Sequence, residues 1–195
     1  MFQVRIHGRG GQGVVSAAEI LSIAAFGEGK DAQAFPSFGS ERMGAPVTAF
    51  CRIDTRPIRL REPIMTPDAL IIQDPTLLPQ RGLFDGLAED GYILVNSSRS
   101  FAELGVGEML AKHPRERQIT VPATELALEH VGRPLPNAAL LGAFAALTGE
   151  VKLESVLKAI REKFPGKVGE KNATAAKLAY EFVTKAAEAA CAPAN

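Results

Sequence analysis

Apolar and polar residues alternate at the start of the chain, with Phe2, Val4 and Ile6 on one face and Gln3, Arg5 and His7 on the other. A period of two predicts a strand whose polar face lies near a domain or subunit boundary. The period then lengthens. Val14, Val15, Ala18, Leu21, Ala25 and Phe26 follow helical spacing, and Gly27 and Gly29 supply a stop, so a helix is expected over 14–26. A short strand over 32–35 follows and ends at Pro36, which cannot donate to a ladder and restricts its neighbour. The opening therefore reads as a βαβ unit followed by a loop.

Two β-rich runs, 47–53 and 57–61, flank Asp54, Thr55 and Arg56, and their short polar connection predicts an antiparallel hairpin. The compact apolar runs at 69–73 and 92–96, bounded by turn residues, fit buried parallel strands. A connecting helix is expected within 77–89 and a further strand at 118–121. Beyond that the pattern is helical. Leu140, Leu141, Phe144 and Leu147 lie on a segment, 137–148, with hardly any charged face. A helix apolar all round must be buried, either in the chain's own core or at a subunit contact. Leu153, Val156, Leu157, Ile160 and Phe164 form a clean apolar stripe opposite Lys152, Glu154, Lys158, Arg161 and Glu162. The expected fold is α/β: a Rossmann-like, mostly parallel sheet with an antiparallel hairpin and a helical C-terminal third. No repeat or long linker divides it, so residues 1–195 are read as one domain.

Composition narrows the function classes. Lys+Arg and Asp+Glu are equal at 22 each, which leaves no excess charge to neutralise nucleic-acid phosphates. No apolar stretch reaches spanning length and no signal-peptide pattern opens the chain, so a cytoplasmic protein without a membrane partner is expected. Cys51 and Cys191 are far apart and suggest neither a disulfide scaffold nor a thiolate metal site. The histidines His7, His113 and His130 are scattered outside any metal-binding spacing, and Ser97-Ser98 lacks a nucleophile elbow.

The main chemical signal is Gly8-Arg9-Gly10-Gly11-Gln12-Gly13, between the first strand and the first helix. Gly8, Gly10 and Gly13 satisfy the G-x-G-x-x-G spacing that lets backbone amides approach a phosphate. A dinucleotide site also needs an acid at the end of the second strand, yet that strand ends Phe35-Pro36-Ser37, with Asp31 before it and Glu41 well after it. The glycines then either make only a tight turn, or hold an anion or a neighbouring chain. A second turn-rich loop, Ser37 through Pro46, carries Glu41 and Arg42 between prolines and glycines.

Taken together these blocks resemble the gamma subunit of the 2-oxoacid:acceptor oxidoreductases. The resemblance rests on Ile6-His-Gly-Arg-Gly-Gly-Gln-Gly13, then Gln33-Ala-Phe-Pro-Ser-Phe-Gly-Ser-Glu-Arg-Met-Gly-Ala-Pro46, Ala49-Phe50 and Arg52-Ile53. Gln73-Asp-Pro75, Asn96, Asn137-Ala-Ala-Leu-Leu-Gly-Ala-Phe144 and Phe164-Pro-Gly-Lys-Val-Gly-Glu-Lys-Asn172 extend it over nearly the whole chain. The Glu-Arg-Met-Gly-Ala-Pro form is most similar to the pyruvate branch and its aryl-glyoxylate relatives, such as phenylglyoxylate enzymes. Many members carry Arg or Gly where Met43 stands.

The resemblance implies a subunit of an enzyme that oxidatively decarboxylates a 2-oxoacid with coenzyme A to acyl-CoA and CO2. It places thiamine diphosphate and magnesium on alpha and beta chains and [4Fe-4S] clusters on a delta chain. Electrons would pass to ferredoxin, or to NAD through an additional flavoprotein subunit carrying FAD. The only local echo of a thiamine segment, Glu89-Asp-Gly91, lacks a continuation. This chain would then be non-catalytic, with Gly8, Arg9, Gly10, Gly11, Gln12, Gly13, Glu41 and Arg42 facing coenzyme A or a partner chain. The competing expectation is an independent NAD(P)-binding dehydrogenase domain.

Overall fold

The computed structural model describes residues 1–37 and 43–191, the side chain of Cys191 excepted. The strands are β1 (Phe2–Arg9), β2 (Asp31–Pro36), β3 (Pro46–Asp54), β4 (Ala69–Ile72), β5 (Tyr92–Asn96) and β6 (Gln118–Val121). The helices are α1 (Val14–Gly27), α2 (Gly107–Leu110), α3 (Ala123–His130), α4 (Asn137–Thr148), α5 (Leu153–Lys163) and α6 (Lys167–Cys191). One sheet orders the strands β2-β3-β1-β4-β5-β6. β1, β4, β5 and β6 run parallel, and β3 is antiparallel to both β1 and β2. This is the expected α/β architecture, with a parallel half and an antiparallel half.

The antiparallel pairing differs from the expected hairpin. β3 pairs with β1 from Phe2 opposite Ile53 to Arg9 opposite Pro46, and with β2 from Asp31 opposite Asp54 to Pro36 opposite Ala49. Both of its edges are thus occupied, so residues 57–61 cannot pair back onto β3. Between Pro57 and Pro63 they run without regular secondary structure, exposed except for half-buried Ile58. Inserting β3 also separates β2 from β1, so the opening unit is not a simple βαβ pair of neighbours.

The expected helix within 77–89 is likewise absent. A 3-10 turn, Pro75–Leu77, leads into successive turns, broken by Pro79 and by Gly82 and Gly86 with φ of 82° and 74°. The apolar side chains of this stretch are still used: Leu77, Leu78 and Leu83 pack with Ile72, Ile93, Val95 and Leu110 on one side of the parallel strands. The larger core lies on the other side, where Val4, Ile6, Ile71 and Leu94 meet α1, α4, α5 and α6.

Helix α4 is a core helix of this chain. Every residue from Asn137 to Ala145 is buried by the chain itself, against Ala173, Ala176 and Ala179 of α6 and with Phe144 edge-on to Phe2 at 6.3 Å. A Cβ on Gly142 would overlap the carbonyl oxygen of Ala176, so α4 and α6 approach too closely for any side chain there. The apolar helix therefore gives no reason to expect that the chain is stable chiefly within a complex; its burial is satisfied at home.

On β1 the polar face is lined by two buried arginines. Arg5 donates to the carbonyls of Leu83 and Asp85 at 2.8 and 2.9 Å, and Arg52 of β3 donates to Glu62 O at 2.6 Å. Their guanidinium groups thereby pin the 57–87 connection onto the sheet.

Candidate functional site

Parallel strands β1, β4 and β5 all end at one edge of the sheet, where α1, α3 and α4 begin. The polar residues of the fold concentrate there. Gly8 lies at the end of β1, and a Cβ at that position would sit 2.6 Å from Val14 Cγ2 and 3.2 Å from Gln73 Cβ, so glycine permits the close approach of strand and helix. Gly13 occupies the position before α1 with φ 72° and ψ 32°, the left-handed region where glycine is favoured. A side chain there would also strike the amide of Asn137.

The turn is held by its own side chains. Gln12 Oε1 accepts from Arg9 N at 2.8 Å, and Gln12 Nε2 donates to Asp74 Oδ2 at 2.9 Å. Arg9 Nε lies 3.2 Å from the same Asp74 oxygen, while its Nη2 donates to Thr76 Oγ1 at 2.8 Å and its Nη1 to Gly44 O at 3.0 Å. Asp74 completes the hub by accepting from Thr76 N and Thr76 Oγ1 at 2.9 and 2.6 Å. Burial pushes the Asp74 carboxyl up, but the Thr76 and Gln12 hydrogen bonds and the Arg9 charge outweigh it, so its pKa lies below the ordinary value.

Backbone bonds tie the turn to the far side of the next loop. Gly10 N donates to Ala45 O at 2.9 Å and Gly44 N to Gly10 O at 3.1 Å. Between these walls lies a hollow of about 300 Å³, lined by Arg9, Gly10, Gly11, Gly13, Val14, Val15, Ser16 and Val47. Helix α1 opens onto it without a side-chain cap and without an acid in its first turn. Its first backbone amides, those of Val14, Val15 and Ser16, find no acceptor among the described residues, since the first intrahelical bond is Ala17 N to Gly13 O. Uncapped amides at the positive end of a helix favour an anion.

Two further groups border the site. The Gln73 side chain is 1% exposed, and neither of its amide atoms has a hydrogen-bond partner among the described residues. His7 receives Arg5 Nε at 3.0 Å on its Nε2 and lies 3.3 Å from Thr48 Oγ1 through Nδ1. Burial, reinforced by the Arg5 charge, lowers its pKa to about 4, so it is neutral at physiological pH.

Of the residues singled out in sequence, Gly8, Arg9, Gly10, Gly11, Gln12 and Gly13 thus form one site; Glu41 and Arg42 lie outside the described residues. Arg9 is committed to Asp74, Thr76 and Gly44, which makes it a brace of the turn before it is a ligand group. Asp74 was the residue that spacing alone did not reveal as the hub. Its signal was present in Gln73-Asp-Pro75 after a strand, an aspartate followed by proline at a turn start.

Among the described residues no acid stands at the end of β2, where a dinucleotide site requires one. β2 ends at Pro36, and Asp31 at its start accepts the Ile58 amide at 2.5 Å. The echo of a thiamine segment does not fit a magnesium site either: the Asp90 carboxylate is bound by Arg117 at 3.0 Å in a turn before β5. Burial raises the Cys51 thiol to about 12, which leaves it protonated and unsuited to hold an iron–sulfur cluster. Among the described residues no group of three or more His, Cys, Asp or Glu side chains converges to hold a metal, and no helix is long and apolar enough to cross a membrane.

The fold and this turn define an open-sheet α/β chain with a glycine-rich, anion-suited helix start and no nucleotide-reading acid. Residues 3–182 match the family of pyruvate ferredoxin/flavodoxin oxidoreductases, and the chain belongs to that family as a gamma-type subunit. It is 53% identical over 181 residues to the pyruvate/ketoisovalerate oxidoreductases common subunit gamma of Pyrococcus furiosus, covering 93% of this chain and 96% of the relative. It is 49% identical over 185 residues to the pyruvate synthase subunit PorC of Methanothermobacter thermautotrophicus, covering 95% and 97%. Among solved structures, the pyruvate oxidoreductase subunit PORC of Thermotoga maritima superposes with a TM-score of 0.77 at 38% identity, over 92% of this chain and 95% of that one.

Proposed function

We propose that this gamma-type chain serves a multisubunit thiamine-diphosphate, iron–sulfur enzyme that converts pyruvate and coenzyme A to acetyl-CoA and CO2. Its own part is to support assembly and to line the approach of coenzyme A. The observation that carries the reading is the uncapped start of α1 facing the 300 Å³ hollow beside Arg9. Coenzyme A is a polyanion, and its phosphates suit backbone amides at a helix N-terminus.

The chain's side chains support a binding rather than a reacting role. Gln12, Arg9, Asp74 and Thr76 are bonded to one another and hold the amides in place, and His7 is buried and neutral. Thiamine diphosphate with magnesium, and the iron–sulfur clusters, belong in this reading to alpha, beta and delta chains. They supply decarboxylation and electron transfer there, with ferredoxin as acceptor. An aryl-glyoxylate such as phenylglyoxylate is the second substrate within the same reading, because the substrate pocket is built by other chains.

The test is Ser16→Asp in the assembled complex. Ser16 is the third residue of α1, where a carboxylate complements the helix dipole and stabilises by roughly 0.3–1 kcal/mol. The same charge about 5 Å from a phosphate repels it by roughly 1–3 kcal/mol, about 5- to 150-fold. The KM for coenzyme A is expected to rise within that range while the KM for the 2-oxoacid stays unchanged. An unaltered coenzyme A KM in a normally assembled complex refutes the ligand role. Dye reduction with a panel of 2-oxoacids is expected to be fastest with pyruvate, and a preference for phenylglyoxylate would move the substrate to the second reading.

A further inference from the structure

Residues 55–63 make an unusual use of a β-compatible sequence. The segment Thr55-Arg-Pro-Ile-Arg-Leu-Arg-Glu-Pro63 runs along the outside of the molecule, and all of it except half-buried Ile58 is exposed. It joins no strand of the sheet, yet it is fixed in place. The Ile58 amide donates to Asp31 Oδ2 at 2.5 Å on the edge strand β2. Arg52 Nη2 donates to Glu62 O at 2.6 Å, and Ile64 plugs the strap into the core at 1% exposure. A surface segment anchored at Ile58, Glu62 and Ile64 has already given up part of the entropy that docking a partner would otherwise remove.

Its charges are mainly positive, Arg56, Arg59 and Arg61 against Glu62. Arg56, Arg59 and Arg61 form no hydrogen bond through the guanidinium group and no ion pair among the described residues. Of the nearby carboxylates, Asp31 accepts the Ile58 amide and Asp54 the Arg56 amide at 3.1 Å, while Glu62 on the strap itself pairs with no cation among the described residues. Leu60 and Met65 add exposed apolar surface, at 41% and 73%. In a chain whose formal charge is balanced, three arginines against one glutamate give the strap a net positive charge beside exposed apolar surface.

We infer that this strap is a docking surface for an acidic segment of another subunit of the complex, read through Arg56, Arg59 and Arg61.

The experiment uses the native complex, held through a tag on a different subunit and washed with rising salt. The double substitution Arg59→Glu/Arg61→Glu is compared with Lys177→Glu/Lys185→Glu on exposed positions of α6. The strap variant is expected to release this chain at less than half the wild-type salt concentration, with affinity lowered on the order of tenfold, while the α6 variant behaves as wild type. Arg59→Gln/Arg61→Gln, which removes charge without inverting it, is expected to fall between them and covers the case in which the reversal prevents folding. A wild-type release profile for both strap variants overturns the inference. So does an equal shift for the α6 control, or an effect confined to self-association of the isolated chain.

Discussion

Asp74→Ala tests whether the glycine-rich turn is built by its hub or by its glycines alone. Among the described residues, the substitution removes the one acceptor shared by Gln12 of the turn, Arg9 of β1 and Thr76 beyond β4. Two of these contacts cross between elements. Gln12 Nε2 is left without a partner in a partly buried position, whereas Arg9 is about one-third exposed and recovers water. Charge-assisted bonds of this kind contribute roughly 1.5–3 kcal/mol, so discounting the rehydrated arginine gives a loss of about 2–3 kcal/mol. For a chain of this size that corresponds to a melting point lower by about 4–12 °C.

The assay is urea unfolding of the purified chain from pH 7 down to pH 3. The folded Asp74 carboxyl titrates below its unfolded value of roughly 3.9, so its contribution is complete above that value and fades as pH falls through the folded pKa. The gap between wild type and variant is therefore expected to be full at pH 7 and to narrow in acid. Asp74→Asn keeps the shape without the charge and is expected to lose less than Asp74→Ala. Equal midpoints for wild type and Asp74→Ala at pH 7 would refute the hub.

Gly142→Val forces α4 away from the backbone of Ala176 and is expected to cost more than about 3 kcal/mol, or to prevent soluble folding, as read by circular dichroism. Gln73→Met removes a buried amide that has no partner among the described residues while keeping its volume; the unfolding free energy is expected to rise by about 1 kcal/mol, and a loss of stability would mean the amide is satisfied in solution. His7 has a folded pKa of about 4 against roughly 6.5 unfolded, so the folded state rejects the proton. Its contribution to stability is present above pH 6.5 and is lost as pH falls toward 4; His7→Gln is expected to flatten that slope, and an NMR titration of the ring near 6.5 would contradict the burial argument.

Periodicity read the elements with strong repeats because their burial is one-sided and local. The 14–26 helix, the strands at 69–73, 92–96 and 118–121, and the 137–148 helix all stand within a residue or two of their predicted places. Failures came where a distant partner decides. Residues 57–61 have strand composition, but β1 and β2 already occupy both edges of β3, a fact of sheet order that no local pattern records. Leu77, Leu78 and Leu83 carry apolar character that resembles a helix face, yet they fill the second core from successive turns. The glycine turn was legible from Gly8, Gly10 and Gly13, since backbone approach requires them. Asp74, some sixty residues later, was legible only as a turn aspartate, because its pairing with Gln12 and Arg9 depends on β1 and β4 lying side by side.

That same sheet order separates this turn from a dinucleotide site more firmly than the missing acid does. In a dinucleotide-binding sheet the second strand lies beside the first, and its terminal acid reaches the ribose of a nucleotide whose phosphates rest on the helix start. Here β3 runs antiparallel between them, so the turn faces Val47 and the Ala45 carbonyl where that ribose would lie. Placing an acid at position 36 would not restore the site, because β2 is one strand too far away. The uncapped helix start remains, but Gly44, Ala45 and Val47 border it in place of a second strand's end. Fingerprint spacing therefore specifies the tight strand-to-helix turn, and the strand inserted beside it removes the ribose side of a dinucleotide site.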